Sequence, residues 1–189
     1  MNDIRIRTAT AADVPAMLDI YAPYVTDTAV SFEYEVPSLQ EFEGRVSRTL
    51  ARYPWLAAEQ NGKILGYAYA SAFHPRKAYQ WCAEASIYLA QNARGQGLGP
   101  LLYDRLEDLL KRQGVLLFYA CIARPQKEDE FLTFASIRFH NRMGFHMVGE
   151  FPRCGFKFNR WYDMVWMEKR LAEPSSPPQP FTPFSEIED

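Results

Sequence analysis

The stretch SIYLAQNARGQGLGPLLYDRLEDLL (Ser86–Leu110) decides the fold, because it joins an apolar run to an amphipathic one through a glycine-rich turn. Gly95, Gly97 and Gly99 let the chain turn tightly and expose successive backbone N–H groups. Such donors, together with the positive end of a following helix dipole, favour a bound anion, usually a phosphate group. The stretch therefore predicts a strand, an anion-binding turn and a helix.

Two common phosphate motifs are excluded at this turn. A P-loop and a dinucleotide fingerprint both need a sixth-position glycine, and counting from Gly95 that position is Pro100. Counting the dinucleotide fingerprint from Gly97 instead places Leu102 there. The pattern that remains is Arg94-x-x-Gly97-x-Gly99, in which Arg94 adds a cation without structural need.

Composition limits the class of protein. The 189 residues suffice for one domain or one domain with a tail, and 48% of them are apolar, which allows a sizeable core. The formal net charge of −2 gives no reason to expect nucleic acid. No signal peptide and no membrane span is visible. The odd, widely spaced Cys82, Cys121 and Cys154 fit neither a disulfide framework nor a metal site. We therefore expect a cytoplasmic protein with reduced thiols and no metal.

The first half of the chain predicts a strand, two helices and a set of antiparallel strands. The helices begin at two capping boxes, Thr10 with Asp13 and Ser38 with Glu41. Asn61-Gly62 between two apolar runs predicts a hairpin. A further strand is expected at CAEASIYL, residues 82–89.

The second half predicts the order β-α-β-α-β. We expect a helix whose first residue is Pro100 and which ends at Gly114. Its apolar stripe consists of Leu101, Leu102, Leu106, Leu109 and Leu110. Residues 115–123 are apolar throughout, which is typical of a strand covered on both faces. A short helix ending at Gly144 and an antiparallel pair of strands complete the order.

The C-terminal residues 172–189 differ in composition from the rest of the chain. They hold five of the thirteen prolines, four acidic residues and no Lys or Arg. Such a segment buries too little apolar area to offset its ordering entropy. We predict a domain over residues 1–171 and a flexible tail without a function; the alternative is a tail docked through Phe181 and Phe184.

Four segments resemble one protein family. Arg94-x-x-Gly97-x-Gly99 is similar to the pyrophosphate loop of the GNAT acetyltransferase superfamily, and residues 136–145 resemble its helix that ends in Gly-Phe. Residues 76–89 and 154–169 resemble the phosphinothricin N-acetyltransferase branch. The resemblance implies an α/β (α+β) fold with a mixed, mostly antiparallel central sheet, splayed at the cofactor cleft, and helices on both faces. It also implies a homodimer that uses acetyl-CoA.

The same resemblance implies the residues that bind coenzyme A. Leu89 would also supply the N–H for the oxyanion. Relatives often carry Asn where this chain has Thr133, after a longer and more charged loop. The expected cofactor-binding residues are Ile87, Tyr88, Leu89, Arg94, Gly95, Gln96, Gly97, Leu98, Gly99 and Ser136.

Glu84 is the predicted general base, since it is the only charged residue in its strand and burial raises the pKa of a carboxyl group. The alternative is a structural ion pair with Arg76 or Lys77. The resemblance implies that His140 protonates the departing thiolate; a half-buried surface histidine is the alternative. Cys121 as a nucleophile is less favoured, because an apolar strand raises the pKa of its thiol.

Acceptor-side residues follow from the resemblance as well. Arg76 and Tyr79 match the substrate loop, and a guanidinium binds an α-carboxylate through two parallel hydrogen bonds. The further candidates are Phe32, Lys157, Trp161 and Asp163. Their alternatives are aromatic core residues, a solvated lysine and a turn-forming aspartate.

The predicted activity is acetyl transfer from acetyl-CoA to the α-amino group of a small amino acid or analogue such as phosphinothricin or methionine sulfoximine. We expect direct transfer with a glutamate base. Two alternatives stay open: acetylation of a protein N-terminus or lysine, and a non-catalytic acyl-CoA-binding sensor on the same fold.

Overall fold

A computed structural model describes residues 4–187 and shows a mixed α/β architecture. The helices are α1 (Val14–Thr26), α2 (Leu39–Leu50), α3 (Leu98–Arg112) and α4 (Ala135–Arg142). The strands are β1 (Arg5–Thr8), β2 (Trp55–Gln60), β3 (Lys63–Ala72), β4 (Cys82–Leu89), β5 (Leu117–Arg124), β6 (His146–Lys157) and β7 (Arg160–Arg170).

The strands form one seven-stranded sheet in the order β1-β2-β3-β4-β5-β7-β6. Every pair is antiparallel except β4 and β5. That parallel pair needs a crossover connection, which α3 supplies. The predicted mixed, mostly antiparallel sheet is confirmed.

Helices cover both faces of the sheet. One face packs against α1 and α2 through an aromatic core that includes Phe42, Trp55 and Tyr67. The other face packs against α3 and α4, with Leu102 and Leu106 fully buried. Because successive strand residues point to opposite faces, alternating side chains of β2 and β3 serve the two cores.

The predicted caps and turns occur as expected. Thr10 and Asp13 form a capping box ahead of α1, and the Ser38 hydroxyl accepts a hydrogen bond from the Glu41 amide at the start of α2. Asn61 and Gly62 have φ values of 53° and 75°, as a two-residue hairpin turn requires.

Three predictions in the second half are wrong in detail. Helix α3 begins at Leu98, so Pro100 is its third residue; its missing N–H still falls among the first-turn donors that have no helical partner. Leu101 is 44% exposed and does not belong to the buried stripe. Strand β5 is also not covered on both faces: Phe118, Ala120 and Ile122 are buried, whereas the side chains between them are partly or fully exposed.

The end of the chain packs on the domain. Phe184 is buried, and its amide donates to the Arg52 carbonyl. The fully buried Gln113 side chain donates to the carbonyls of Arg52 and Thr182. The Trp81 indole donates to Gln179. The Phe181 ring lies 5.6 Å from that of Tyr53, so these contacts favour the alternative of a tail docked through Phe181 and Phe184.

Two classes of feature are missing from the described part of the chain. Within residues 4–187, no helix combines the length and the apolar character needed to cross a membrane. The same residues contain no group of three or more His, Cys, Asp or Glu placed to hold a metal ion.

Candidate active site

A cleft opens between β4 and β5 where their pairing stops. The parallel register runs from Cys82 with Leu117 to Ala85 with Ala120 and goes no further. Beyond it, β4 remains paired with β3 and β5 with β7. The two halves of the sheet therefore diverge, and backbone groups of residues 86–89 face the opening.

The glycine-rich turn lies at the open end of β4. Gly95 and Gly97 have φ values of 75° and 78°, a conformation that favours glycine, and Gly97 is the N-cap of α3. Gly99 packs closely on α4, since a Cβ there would lie 2.7 Å from the Phe139 ring. The Gln96 side-chain amide (Nε2) donates to the Asn92 carbonyl and so stabilises the turn. The loop thus presents the N-terminus of a 15-residue helix, a geometry that fits a diphosphate.

Tyr24 of α1 contacts both ends of this expected cofactor site. Its hydroxyl donates to the Leu89 carbonyl at 2.7 Å and accepts from the Leu89 amide at 3.1 Å. The Arg94 guanidinium lies over the Tyr24 ring at 5.0 Å. The Leu89 N–H, predicted as the oxyanion donor, is therefore already bonded to a hydroxyl group.

Glu84 lies at the closed end of the cleft, on the last part of β4 that still pairs with β5. Desolvation by burial raises the pKa of its carboxyl group. Among the described residues no cation pairs with it, so the geometry does not support the alternative of an ion pair with Arg76 or Lys77. A half-buried carboxylate beside an opening in the sheet is placed to accept a proton.

His140 is not placed as predicted. It is 3% exposed; its Nδ1–H donates to the Ser136 carbonyl at 2.8 Å, and its Nε2 lies 2.8 Å from the Tyr103 hydroxyl. A carbonyl only accepts, which fixes the tautomer and makes Tyr103 the donor to Nε2. Burial lowers the pKa of His140 to about 4. A neutral imidazole with both nitrogens engaged does not fit the predicted proton donor, nor is it a half-buried surface residue.

Arg76 and Tyr79 lie together in the connection between β3 and β4. The Arg76 side chain is exposed, and Tyr79 packs at 6.0 Å from Phe73. Phe73 in turn stacks on Tyr119 of β5, the cross-strand partner of Glu84. The structure therefore brings the predicted substrate loop to the neighbourhood of the predicted base.

The other acceptor-side candidates have different environments. Phe32 packs on Gly155 and Tyr162. Trp161 is 58% exposed on the hairpin between β6 and β7. Asp163 is buried and accepts from the Arg153 amide at 2.8 Å, so it stabilises a bulge in β6 and does not form a turn.

The environment of Lys157 agrees neither with a substrate-binding side chain nor with a solvated lysine. It is 3% exposed, and its Nζ donates to the carbonyls of Val25, Thr28 and Ser31 at 2.7, 3.0 and 2.6 Å. An ammonium group has three protons, and all three are used. Lys157 is therefore neither a solvated charge nor a free substrate ligand.

Cys121 has an exposed side chain on β5, just past the point where the strands diverge. Desolvation by its surroundings, and then the nearby Glu84, raise the pKa of its thiol to about 12. A thiol that stays protonated is a poor nucleophile, in agreement with the sequence analysis.

The loop before α4 is held by carboxylates. Asp129 accepts from the amides of Phe131 and Leu132, and Glu128 accepts from that of Phe134. The Thr133 hydroxyl accepts from the Ala135 amide at 3.3 Å and so takes part in the start of α4. A separate cavity of about 470 Å³ between α1, Lys63 and Gln91 contains none of the predicted site residues.

Sequence reasoning missed Tyr24 and Tyr103. Each is a tyrosine in an amphipathic helix, where an aromatic residue ordinarily indicates core packing. Only the three-dimensional contacts show that their hydroxyl groups bond Leu89 and His140.

Fold, cleft and glycine turn together define an acyl-coenzyme A-dependent transferase. A model of the acetyltransferase (GNAT) domain matches residues 6–166. The chain belongs to the GNAT acetyltransferase family and is an N-acetyltransferase that uses acetyl-CoA.

Particular relatives share nearly the whole chain. Phosphinothricin N-acetyltransferase of Streptomyces viridochromogenes is 33% identical over 97% of this chain and 96% of its own. L-Methionine sulfoximine/L-methionine sulfone acetyltransferase of Salmonella typhimurium is 33% identical over 91% and 97%. The crystal structure of a phosphinothricin acetyltransferase from Sinorhizobium meliloti in complex with acetyl-CoA superposes with a TM-score of 0.84, at 32% identity, over 96% of this chain and 98% of that one.

Proposed function

We propose that this enzyme transfers an acetyl group from acetyl-CoA directly to the α-amino group of a small amino acid or analogue, with Glu84 as general base. The names of the relatives favour acceptors like phosphinothricin and methionine sulfoximine. The observation that carries the proposal is the half-buried Glu84, unpaired with any described cation, at the base of the β4–β5 opening.

The cofactor site would use mainly backbone donors. Amides of residues 95–99 at the N-terminus of α3, with Arg94 beside them, would hold the diphosphate. The backbone of Ile87, Tyr88 and Leu89 would line the pantetheine arm. Ser136, in the first turn of α4, would lie near the same arm. Bound acetyl-CoA supplies an acyl thioester whose carbonyl carbon accepts the amine.

Glu84 would take the proton that an incoming ammonium group must lose before its nitrogen can attack. A carboxylate whose pKa is raised by burial binds that proton more readily than an exposed one. The departing sulfur needs no strong acid, since thiols ionise near pH ~8.5. This removes the need for His140 as a proton donor.

Arg76 and Tyr79 would contact the carboxylate and side chain of the acceptor. Arg76 is exposed beside the aromatic residues that continue the Glu84 face, where a carboxylate from solvent can reach it. The cytoplasmic location stays a prediction; the three free cysteines are consistent with it.

The experiment is release of free coenzyme A, measured with acetyl-CoA and a panel of acceptors. The panel contains phosphinothricin, methionine sulfoximine, standard amino acids, and peptides with a free N-terminus or lysine. We expect turnover with one or more amino acids or analogues. Turnover with peptides alone would favour the protein acetyltransferase, and tight acetyl-CoA binding without turnover would favour the sensor.

The edge strand β6 supports a homodimer. Most of its residues are exposed, and with the adjoining hairpin it carries a set of large apolar side chains, each more than 40% exposed: Met147, Val148, Phe151, Phe156 and Trp161. An exposed apolar cluster on an edge strand is typical of a protein interface. We therefore propose that two copies meet along β6.

A further inference from the structure

The segment between α1 and α2 crosses from one half of the sheet to the other. We call residues 27–34 the bridge segment. It follows α1, which packs on β3 and β2, yet its Ala29 amide donates to the Phe131 carbonyl at 3.0 Å, beyond β5. The Tyr34 hydroxyl donates to the carbonyl of Phe156 in β6. The bridge segment therefore joins the two halves that diverge at the cleft.

Lys157 fixes this crossing. Lys157 lies in β6, in the C-terminal half of the sheet. The three carbonyl groups that accept from it belong to the end of α1 and to the bridge segment. The C-terminal end of a helix has a partial negative charge, which an ammonium group stabilises. Breaking this cluster would leave buried carbonyls unsatisfied.

Packing adds to the hydrogen bonds. The Phe32 ring lies directly on Gly155, where a Cβ would come within 2.1 Å of it. Ala29, Leu132 and Tyr162 form a small buried cluster between the bridge segment and the C-terminal half. Any residue other than glycine at position 155 would displace Phe32.

The bridge segment is also held on the N-terminal half of the sheet, through residues between Ala29 and Tyr34. The Tyr21 and Ser31 hydroxyls lie 2.8 Å apart, and Glu33 pairs with Arg45 of α2 at 2.7 Å. Glu84 and Ser86 alternate with the β4 residues that pack on α3, so they point to the face that α1, α2 and the bridge segment cover. After desolvation by burial, Glu84 and Glu33 of the bridge segment both raise the pKa of Tyr69 in β3, so an acceptor at Glu84 would lie near the bridge segment.

We propose that the bridge segment, locked by Lys157, limits the size of the acceptor, so that a single amino acid fits and a polypeptide does not. Lys157 is then a positioning residue that determines specificity. It acts through the bridge segment and does not touch the substrate. The inference rests on the proposed amino-acid N-acetylation and names the device that selects its substrate class.

The test compares Lys157→Met with Lys63→Met, which removes an exposed lysine at the start of β3, outside β6 and the bridge segment. Hydrogen exchange of residues 27–34 should become at least about tenfold faster in Lys157→Met, since ~1.4 kcal/mol of local stability corresponds to that factor. The ratio of kcat/KM for the tripeptide Met-Ala-Ala to kcat/KM for methionine sulfoximine should rise about tenfold as well. The KM for acetyl-CoA should change by less than about twofold. Lys63→Met should match the wild type throughout.

Tyr34→Phe gives a milder second variant, because Tyr34 is 69% exposed and loses only one hydrogen bond. It should shift exchange and acceptor preference in the same direction by roughly two- to threefold. The inference is overturned if exchange in residues 27–34 is unchanged in both variants, or if exchange rises without any change in the peptide ratio. A wild type that acetylates no free amino acid would refute the proposed function instead, while the exchange result would still decide whether Lys157 locks the bridge segment.

Discussion

At the scale of single residues, buried hydrogen bonds decide which polar side chains are free to react. His140 and Lys157 carry the right functional groups for proton transfer or substrate binding, but each is fully engaged with protein acceptors or donors. Glu84 differs from both, because desolvation is the cause of its raised pKa and no described group neutralises it. We therefore keep Glu84 as the proposed base and regard the hydrogen bonds of His140 and Lys157 as structural.

His140→Gln should change stability more than catalysis. Losing two buried hydrogen bonds should lower the free energy of unfolding by about 1–3 kcal/mol near neutral pH. In the wild type the folded-state pKa of about 4 lies below the ordinary value of 6.5, so the unfolded chain takes up a proton first. Stability should therefore fall as pH decreases from 6.5 to 4, and this dependence should be weaker in the variant.

Urea unfolding across this pH range and steady-state kinetics would check the His140 prediction together. A kcat reduced more than about a hundredfold with unchanged stability would restore His140 as a general acid.

Tyr24→Phe keeps the aromatic ring and removes the hydroxyl that holds Leu89. Because the last residue of β4 would lose two hydrogen bonds, we expect the KM for acetyl-CoA to rise about three- to tenfold with a smaller change in kcat. Steady-state kinetics with varied acetyl-CoA measure both constants. Tyr67→Phe is the matched control, since its buried hydroxyl has no hydrogen-bond partner within residues 4–187. Equal effects of the two variants would contradict a specific role for Tyr24.

At the scale of elements, local patterns predicted which segments form, because caps and turns depend on neighbouring residues. The Ser38 cap, the Asn61-Gly62 turn and the strand-glycine-helix unit need no tertiary information. The exposure of β5 was not predictable in this way. Its residues are apolar on both faces, and one face borders the open cleft instead of a helix layer.

The C-terminal segment shows a similar limit of composition. A proline-rich, acidic stretch predicts disorder, yet a single buried ring and a few backbone hydrogen bonds to the ends of α2 and α3 are enough to dock it. A partner such as Gln113, more than sixty residues away in the chain, is not visible in a local pattern.

Phe184→Ala tests this docking. Truncating a buried phenylalanine should lower the free energy of unfolding by about 3 kcal/mol, and kinetic constants should stay close to wild type. Chemical denaturation of this variant beside the exposed control Pro178→Ala gives the comparison. If both variants unfold like the wild type, the segment does not contribute to stability.

At the scale of the whole molecule, two of the junctions between the diverging halves of the sheet border the cleft. The parallel register of β4 and β5 joins them at the closed end of the cleft, and the bridge segment joins them on the acceptor face. For the first junction, the sequence predicted the order of elements along the chain, and the family resemblance implied a sheet that splays at the cofactor cleft. The second depends on a lysine and a glycine in β6 that meet carbonyls and a ring about 125 residues earlier.

The proposed dimer belongs to the same scale. Phe151→Glu places a charge in the centre of the exposed β6 cluster, where Phe151 is 49% exposed and its loss leaves the core intact. Light scattering coupled to size exclusion should show a dimer for the wild type and a monomer for this variant. Leu39→Glu, an equally exposed apolar position on α2, should remain dimeric. A monomeric wild type would refute the interface.

The central claim, that Glu84 removes the proton of the amine in the β4–β5 cleft, is tested most directly by the pH dependence of kcat/KM in wild type and Glu84→Gln. We expect the wild-type rate to fall on the acid side with an apparent pKa above the usual carboxyl range, and the variant to lose roughly 10²–10⁴ in kcat together with that acid limb. Because the folded-state pKa is raised, the variant should be at least as stable as the wild type near neutral pH, and equally stable once the carboxyl is protonated in both folded and unfolded states. Glu43→Gln, an exposed carboxylate on α2, is the control. A Glu84→Gln enzyme with wild-type turnover and an unchanged pH profile would contradict the account.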